Sequence, residues 1–261
     1  MMRTSNPALN AKIFQQAHGL AAGETMTLQG TVNKSFVLLA LIVMSASWVW
    51  GKVMQASAPI YEGIEGVGRT MPAAIGPIMM VGVFGGLIVG FVTIFKKEWA
   101  PATAPVYALL EGLFLGGLSA ILELQYPGIV IQAVALTFGT LFCLLMAYKS
   151  GMIRATENFK MGIVAATGAI FLIYLVSMIM GFFGTSIPMI HSSGPVGIAF
   201  SLFVVTIAAL NLVLDFDFIE QGSSMGLPRY MEWYAAFGLI VTLVWLYIEI
   251  LRLLTKLRSQ R

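Results

Sequence analysis

From Val196 to Ile219 the chain reads Val-Gly-Ile-Ala-Phe-Ser-Leu-Phe-Val-Val-Thr-Ile-Ala-Ala-Leu-Asn-Leu-Val-Leu-Asp-Phe-Asp-Phe-Ile. As an α-helix rising 1.5 Å per residue this run is about 36 Å long, enough to cross the roughly 30 Å hydrocarbon core of a bilayer. It closes on two acids, Asp215 and Asp217, with Asn211 one turn before the first. An ionised carboxylate within a span costs on the order of 2.5–3.5 kcal/mol even on a lenient insertion scale, so these acids are expected to face a partner, a water-filled cavity or an ion path. Backbone groups in lipid must pair within their own segment, and the run lacks the alternation of a barrel strand. It is therefore read as a transmembrane helix.

Six other runs satisfy the same length criterion. Together the candidates are Ser35 to Met54, Ala73 to Phe95, Ala104 to Leu124, Ile129 to Tyr148, Gly162 to Phe183, Val196 to Ile219 and Met231 to Leu254. With 58% hydrophobic residues, 10% charged and a mean hydropathy of +0.87, the chain has too little polar surface to cover a soluble domain. The expected fold is an all-α integral membrane protein, a seven-transmembrane helix bundle over residues 35–254. A polar amino-terminal arm, residues 1–34, precedes it and a short basic tail, 255–261, follows. Turn-forming residues separate several runs: Tyr126-Pro127-Gly128, the Gly184 to Gly194 stretch with Pro188, and Gly222 to Pro228. The arm has no apolar core of the kind a cleavable signal carries, so the first helix is expected to serve as the insertion signal.

Basic residues set the orientation. Arg3, Lys12, Lys34, Lys96, Lys97, Lys149, Arg154, Lys160 and Arg229 fall on the amino-terminal side, against Lys52, Arg69, Arg252, Lys256, Arg258 and Arg261 on the other. The bias puts the N-terminus in the cytoplasm. The basic tail pulls the other way, and a last segment that re-enters instead of crossing would reconcile both. A formal charge of +3 suits an anionic lipid surface; no basic, aromatic-interleaved patch is long enough to follow a phosphate backbone, so nucleic acid is not an expected partner. Cys143 is the only cysteine, which rules out an intramolecular disulfide.

Enzyme chemistry finds few residues. His18, His191 and Cys143 give no zinc-ligand spacing, so neither a metal site nor a cofactor is expected. Serine proteolysis and retinal binding both need a Lys or His at mid-span, and the spans offer none. Asp215 and Asp217 share one helix, whereas an aspartyl intramembrane protease takes its acids from two. The protein is read as a non-enzyme. Residues two apart on a helix point about 200° from each other, so only one of the two acids can face a given path. Glu249 has Arg252 one turn on as a ready partner. Gly82, Gly86 and Gly90, with Gly112 and Gly116, read as close helix contacts.

Four strings carry a resemblance to a known family. Arg3-Thr4-Ser5-Asn6-Pro7-Ala8-Leu9, Tyr107-Ala108-Leu109-Leu110-Glu111-Gly112-Leu113-Phe114-Leu115-Gly116, Asp215-Phe216-Asp217-Phe218-Ile219-Glu220 and Trp245-Leu246-Tyr247-Ile248-Glu249 occur in that order. They resemble the Bax inhibitor-1 family in its bacterial YccA-like branch. The resemblance implies a multi-pass protein of the bacterial plasma (inner) membrane, with helices wrapped around a central last helix. It also implies a pH-sensitive calcium leak channel governed by a pair of acids on the sixth and seventh helices, with Ca²⁺ as the permeant ion. The alternative it implies is a non-transporting interaction protein that modulates a membrane-bound protease, with the polar arm as its handle.

Transferred residue by residue, the sixth-helix acid falls on Asp217, or on Asp215 if the register slips by two. The seventh-helix acid falls on Glu249 by one alignment and on Thr242 by another, which leaves the second carboxylate missing. Depth counting separates Asp217 from Glu249 by roughly 25 Å along the bundle. Glu111 in the third run lies within about two turns of the depth of Asp215 and Asp217. It is expected to join them in a proton-sensitive cluster, because close carboxylates disfavour double ionisation and share a proton. Asn211, Thr242 and Arg252 are the expected supporting residues.

Overall fold

Where the polar arm meets the first apolar run, the Thr27 hydroxyl accepts a hydrogen bond from the Gly30 N–H at 2.9 Å and caps a helix that starts at once. In this computed structural model, which describes residues 25–56, 75–184 and 192–260, that helix is α1 (Leu28–Ala56). The other helices are α2 (Ile75–Phe95), α3 (Ala100–Gln125) after a 3₁₀ turn at Lys97–Trp99, α4 (Ile129–Lys149), α5 (Glu157–Phe182), α6 (Pro195–Ser224) and α7 (Met231–Arg258). Among the described residues there are seven helices long and apolar enough to cross a membrane, and β pairing is limited to an isolated bridge between Thr25 and Pro228.

Several helices run past the apolar segments that announce them. α1 begins at Leu28 and not at Ser35, α6 ends at Ser224 and not at Ile219, and α7 continues to Arg258 beyond Leu254. The edge of the hydrocarbon limits apolar character, whereas backbone hydrogen bonds carry a helix on into the polar interface. Residues 28–34 and 255–258 thus belong to the bundle. The reversal after α6 falls at Gly226, whose φ of +64° suits a residue without a Cβ, and Gly128 opens α4 with φ +80°. Most of the Gly184 to Gly194 stretch lies outside the described residues, as does the arm before Thr25.

Contacts identify the two ends of the bundle. At one end Lys34 of α1 forms an ion pair with Glu232 of α7, Lys97 stacks over Tyr234 and Tyr148 donates to Glu220. At the other, Arg258 donates to the Pro127 carbonyl at 2.7 Å and Lys256 to the Gly197 carbonyl at 3.0 Å. α7 is one continuous helix between these ends.

The last helix is the axis. α7 packs against α1, α3, α4 and α6, and half of its apolar window is buried compared with 11% for α5, which lies outermost on α6. Leu212, Ile240, Leu246 and Leu251 fill the seams around it. In lipid, close backbone approach has to supply the packing that hydrophobicity supplies in water. A Cβ on Gly116 would stand 2.7 Å from the Ala46 Cα, and one on Gly82 would stand 2.8 Å from the Leu110 carbonyl oxygen. These glycines set α1 and α2 tightly onto α3.

Candidate functional site

Asp215 stands nine residues before the end of α6, about 14 Å into the bundle, and Thr242 stands eleven residues into α7, about 16 Å from the same end. The hairpin therefore brings them level. Thr242 is the α7 side chain that faces the Asp215 carboxyl group, and its hydroxyl donates to the Gly238 carbonyl of its own helix at 3.3 Å. The carboxyl atom Oδ2 is buried and has no hydrogen-bond partner among the described residues. A buried acid thus faces a hydroxyl across the α6–α7 seam, and no cation among the described residues pairs with it.

Asp217 points the other way, as a 200° separation requires. It pairs with Lys160 in the first turn of α5 at 2.8 Å and accepts from Gln221 at 2.7 Å. Lys160 also reaches Glu157 at 3.3 Å. This acid is a strut between α5 and α6 near the membrane boundary. The register between the two aspartates is thereby fixed, with Asp215 on the inner side. Asn211, one turn from Asp215, donates to Thr167 of α5 at 2.9 Å and to the Ile207 carbonyl of its own helix at 2.9 Å.

Glu111 lies about 16 Å into α3, level with Asp215 in depth. Its side-chain partner is Tyr107, which packs edge-on against Phe237 of α7 with ring centroids 4.9 Å apart. Gly86 of α2 leaves room for the carboxylate, since a Cβ there would stand 3.1 Å from its Oε2. Phe237 and Thr242 are five residues apart on α7, about 140° around the helix. The central helix therefore stands between Glu111 and Asp215. The structure does not gather Glu111, Asp215 and Asp217 into one cluster: Glu111 has Tyr107 of its own helix beside it, Asp215 faces Thr242 of α7 and Asp217 pairs with Lys160 of α5.

Glu249 sits in the opposite half of the membrane and is 1% exposed. Both its oxygens accept from the Tyr174 hydroxyl at 3.1 Å and from Arg252 Nη1 at 3.0 and 3.1 Å. Arg252 also donates to that hydroxyl and lies over the Tyr174 ring, 4.8 Å from its centroid. One turn on, Lys256 is buried and donates to Ser201 at 2.8 Å. Glu249 does not meet either aspartate. The position opposite the sixth-helix acid belongs to Thr242.

Two participants escape a reading of the sequence. Tyr174 completes the Glu249 group from α5. Glu232, 3% exposed, accepts from Lys34 and, at 2.9 and 2.8 Å, from the Thr27 N–H and hydroxyl, which clips the start of α1 to the start of α7. A basic residue early in α1 and an acid in the first turn of α7, both on one side by the alternation of spans, were the available signal.

Fold and site define a polytopic α-helical membrane protein with acids inside its spans. Residues 6–259 match the model of the family described as Bax inhibitor 1 like, and the chain belongs to the Bax inhibitor-1 family. Comparisons with curated proteins and with solved structures found no match.

Proposed function

We propose that the protein is a pH-sensitive calcium leak in which Asp215, alone on the α6–α7 seam, is the gating carboxylate, and Thr242 takes the place of the family's second acid. The observation that carries this reading is the buried Oδ2 with no hydrogen-bond partner among the described residues, about 14 Å in from the end of α6. A carboxylate so placed must bind a proton or a cation to be tolerated in low dielectric. Protonated, it is a neutral plug; ionised, it offers hard oxygen to a hard cation such as Ca²⁺. Asp217 and Glu249 already have cationic partners and serve the frame. The role is that of a conduit, with no catalytic step. Calcium entry into sealed, dye-loaded liposomes holding the purified protein tests it: entry above that of protein-free liposomes is expected, and equal rates would refute the reading.

The membrane assigned is the bacterial inner membrane, with the Lys34 end of the bundle in the cytoplasm. Lys34, Lys96, Lys97, Lys149, Arg154, Lys160 and Arg229 support this by gathering at that end. Single cysteines at Met152, which is 82% exposed between α4 and α5, and at Ser259 after α7 report the two faces once Cys143 is replaced by Ala. An impermeant thiol reagent added to intact cells is expected to label the Ser259→Cys variant and spare Met152→Cys. The reverse pattern would invert the bundle.

A further inference from the structure

α1 and α4 do not pack together, and the gap between them opens sideways into lipid. It forms a cavity of about 1160 Å³ walled by Phe36 and Leu39 of α1 and Phe138 and Leu145 of α4, with Phe216 and Leu243 behind. The wall on α1 runs from Leu28 to Leu39 and that on α4 from Phe138 to Lys149. Each stretch rises about 16 Å, half the hydrocarbon thickness. The cavity therefore has the reach of one leaflet. A second cavity of about 410 Å³ continues it toward Trp50 and Tyr247.

The polar end of the larger cavity is not neutral. Its acids are engaged, Asp217 by Lys160 and Gln221, and Glu220 by Tyr148 at 2.5 Å. Its bases, Lys149 and Arg154, are both exposed and have no side-chain partner among the described residues. An apolar slot one leaflet deep, with two unmatched cations at the headgroup level, complements a phosphodiester that carries a net negative charge and two acyl chains.

We propose that the α1–α4 groove is a binding site for an anionic glycerophospholipid of the leaflet at the Lys149 end, its chains in the slot and its phosphate between Lys149 and Arg154. This is independent of the calcium reading, because lipid retention is measured without flux.

The test is native mass spectrometry of the purified protein after incubation with equal amounts of phosphatidylglycerol and phosphatidylcholine. Wild type is expected to retain one phosphatidylglycerol in preference. The double variant Lys149→Gln and Arg154→Gln is expected to lose about thirtyfold of that preference, from roughly fivefold per basic residue. Lys52→Gln, at the opposite end beside Trp48, is expected to keep it. Both altered residues are solvent-exposed, so folding is not at stake, and thermal unfolding checks this. Equal retention of the two lipids by wild type, an undiminished preference in the double variant, or a dimer that excludes lipid from the groove would each overturn the assignment. Displacement of phosphatidylglycerol by inorganic phosphate alone would assign the cations to a free anion and overturn it as well.

Discussion

Glu249→Ala is expected to lower the stability of the folded bundle by about 3 kcal/mol, the lower end of what breaking a buried ion pair costs. The carboxylate is almost wholly enclosed and holds Tyr174 and Arg252 together, with buried Lys256 one turn beyond. Removing it leaves two cations on one face of α7 with no anion between them. The lower end applies because the Arg252 side chain is 38% exposed and water takes up part of the loss. Thermal unfolding in detergent measures the effect. Replacing Arg252 by Leu in the same chain should restore part of the loss, since the unpaired charge goes with it, and the two changes should be clearly non-additive. Strict additivity would mean the ion pair contributes nothing as a pair.

Asp215→Asn is expected to reduce calcium flux at neutral pH about tenfold or more, since a full negative charge close to a cation in a partly hydrated path contributes on the order of 1–4 kcal/mol. It should also flatten the pH profile. On the proposed reading the proton and Ca²⁺ compete for the same oxygens, so wild-type flux should fall as pH falls, while Asn has nothing to titrate. Asp217→Asn should act more weakly, because Lys160 already neutralises that acid. Glu111→Gln should combine additively with Asp215→Asn, as α7 stands between the two acids and each has a separate partner. Strong coupling in that cycle, measured by flux, would place Glu111 and Asp215 in one proton-sharing group and refute the separation.

The spans were legible because lipid imposes one rule on every residue in a segment, so continuous apolar runs gave all seven helices. Helix ends were not, because Thr27 and the polar turn from Glu220 to Ser224 continue or cap helices by backbone bonding that hydropathy does not register. The partnership of Glu249 with Arg252 was legible from their spacing of three residues. The choice between Asp215 and Asp217 was not: both stand in one short string, and only the packing of α5 on one flank of α6 and α7 on the other separates the strut from the unpaired acid. Equal depth placed Glu111 beside Asp215 on paper. Depth counting carries no azimuth, and the intervening position of α7 emerges only from contacts such as Tyr107 with Phe237. The Lys34–Glu232 clip joins residues from opposite ends of the chain, where no local pattern reports a contact.

The most direct test of the account is the pH dependence of calcium entry into liposomes holding either the wild-type protein or Asp215→Asn, measured side by side. The account predicts wild-type entry that rises from acid to mildly alkaline pH, and a variant profile that is low and flat. Identical profiles for the two proteins, or wild-type entry indistinguishable from that of protein-free liposomes at every pH, would contradict it.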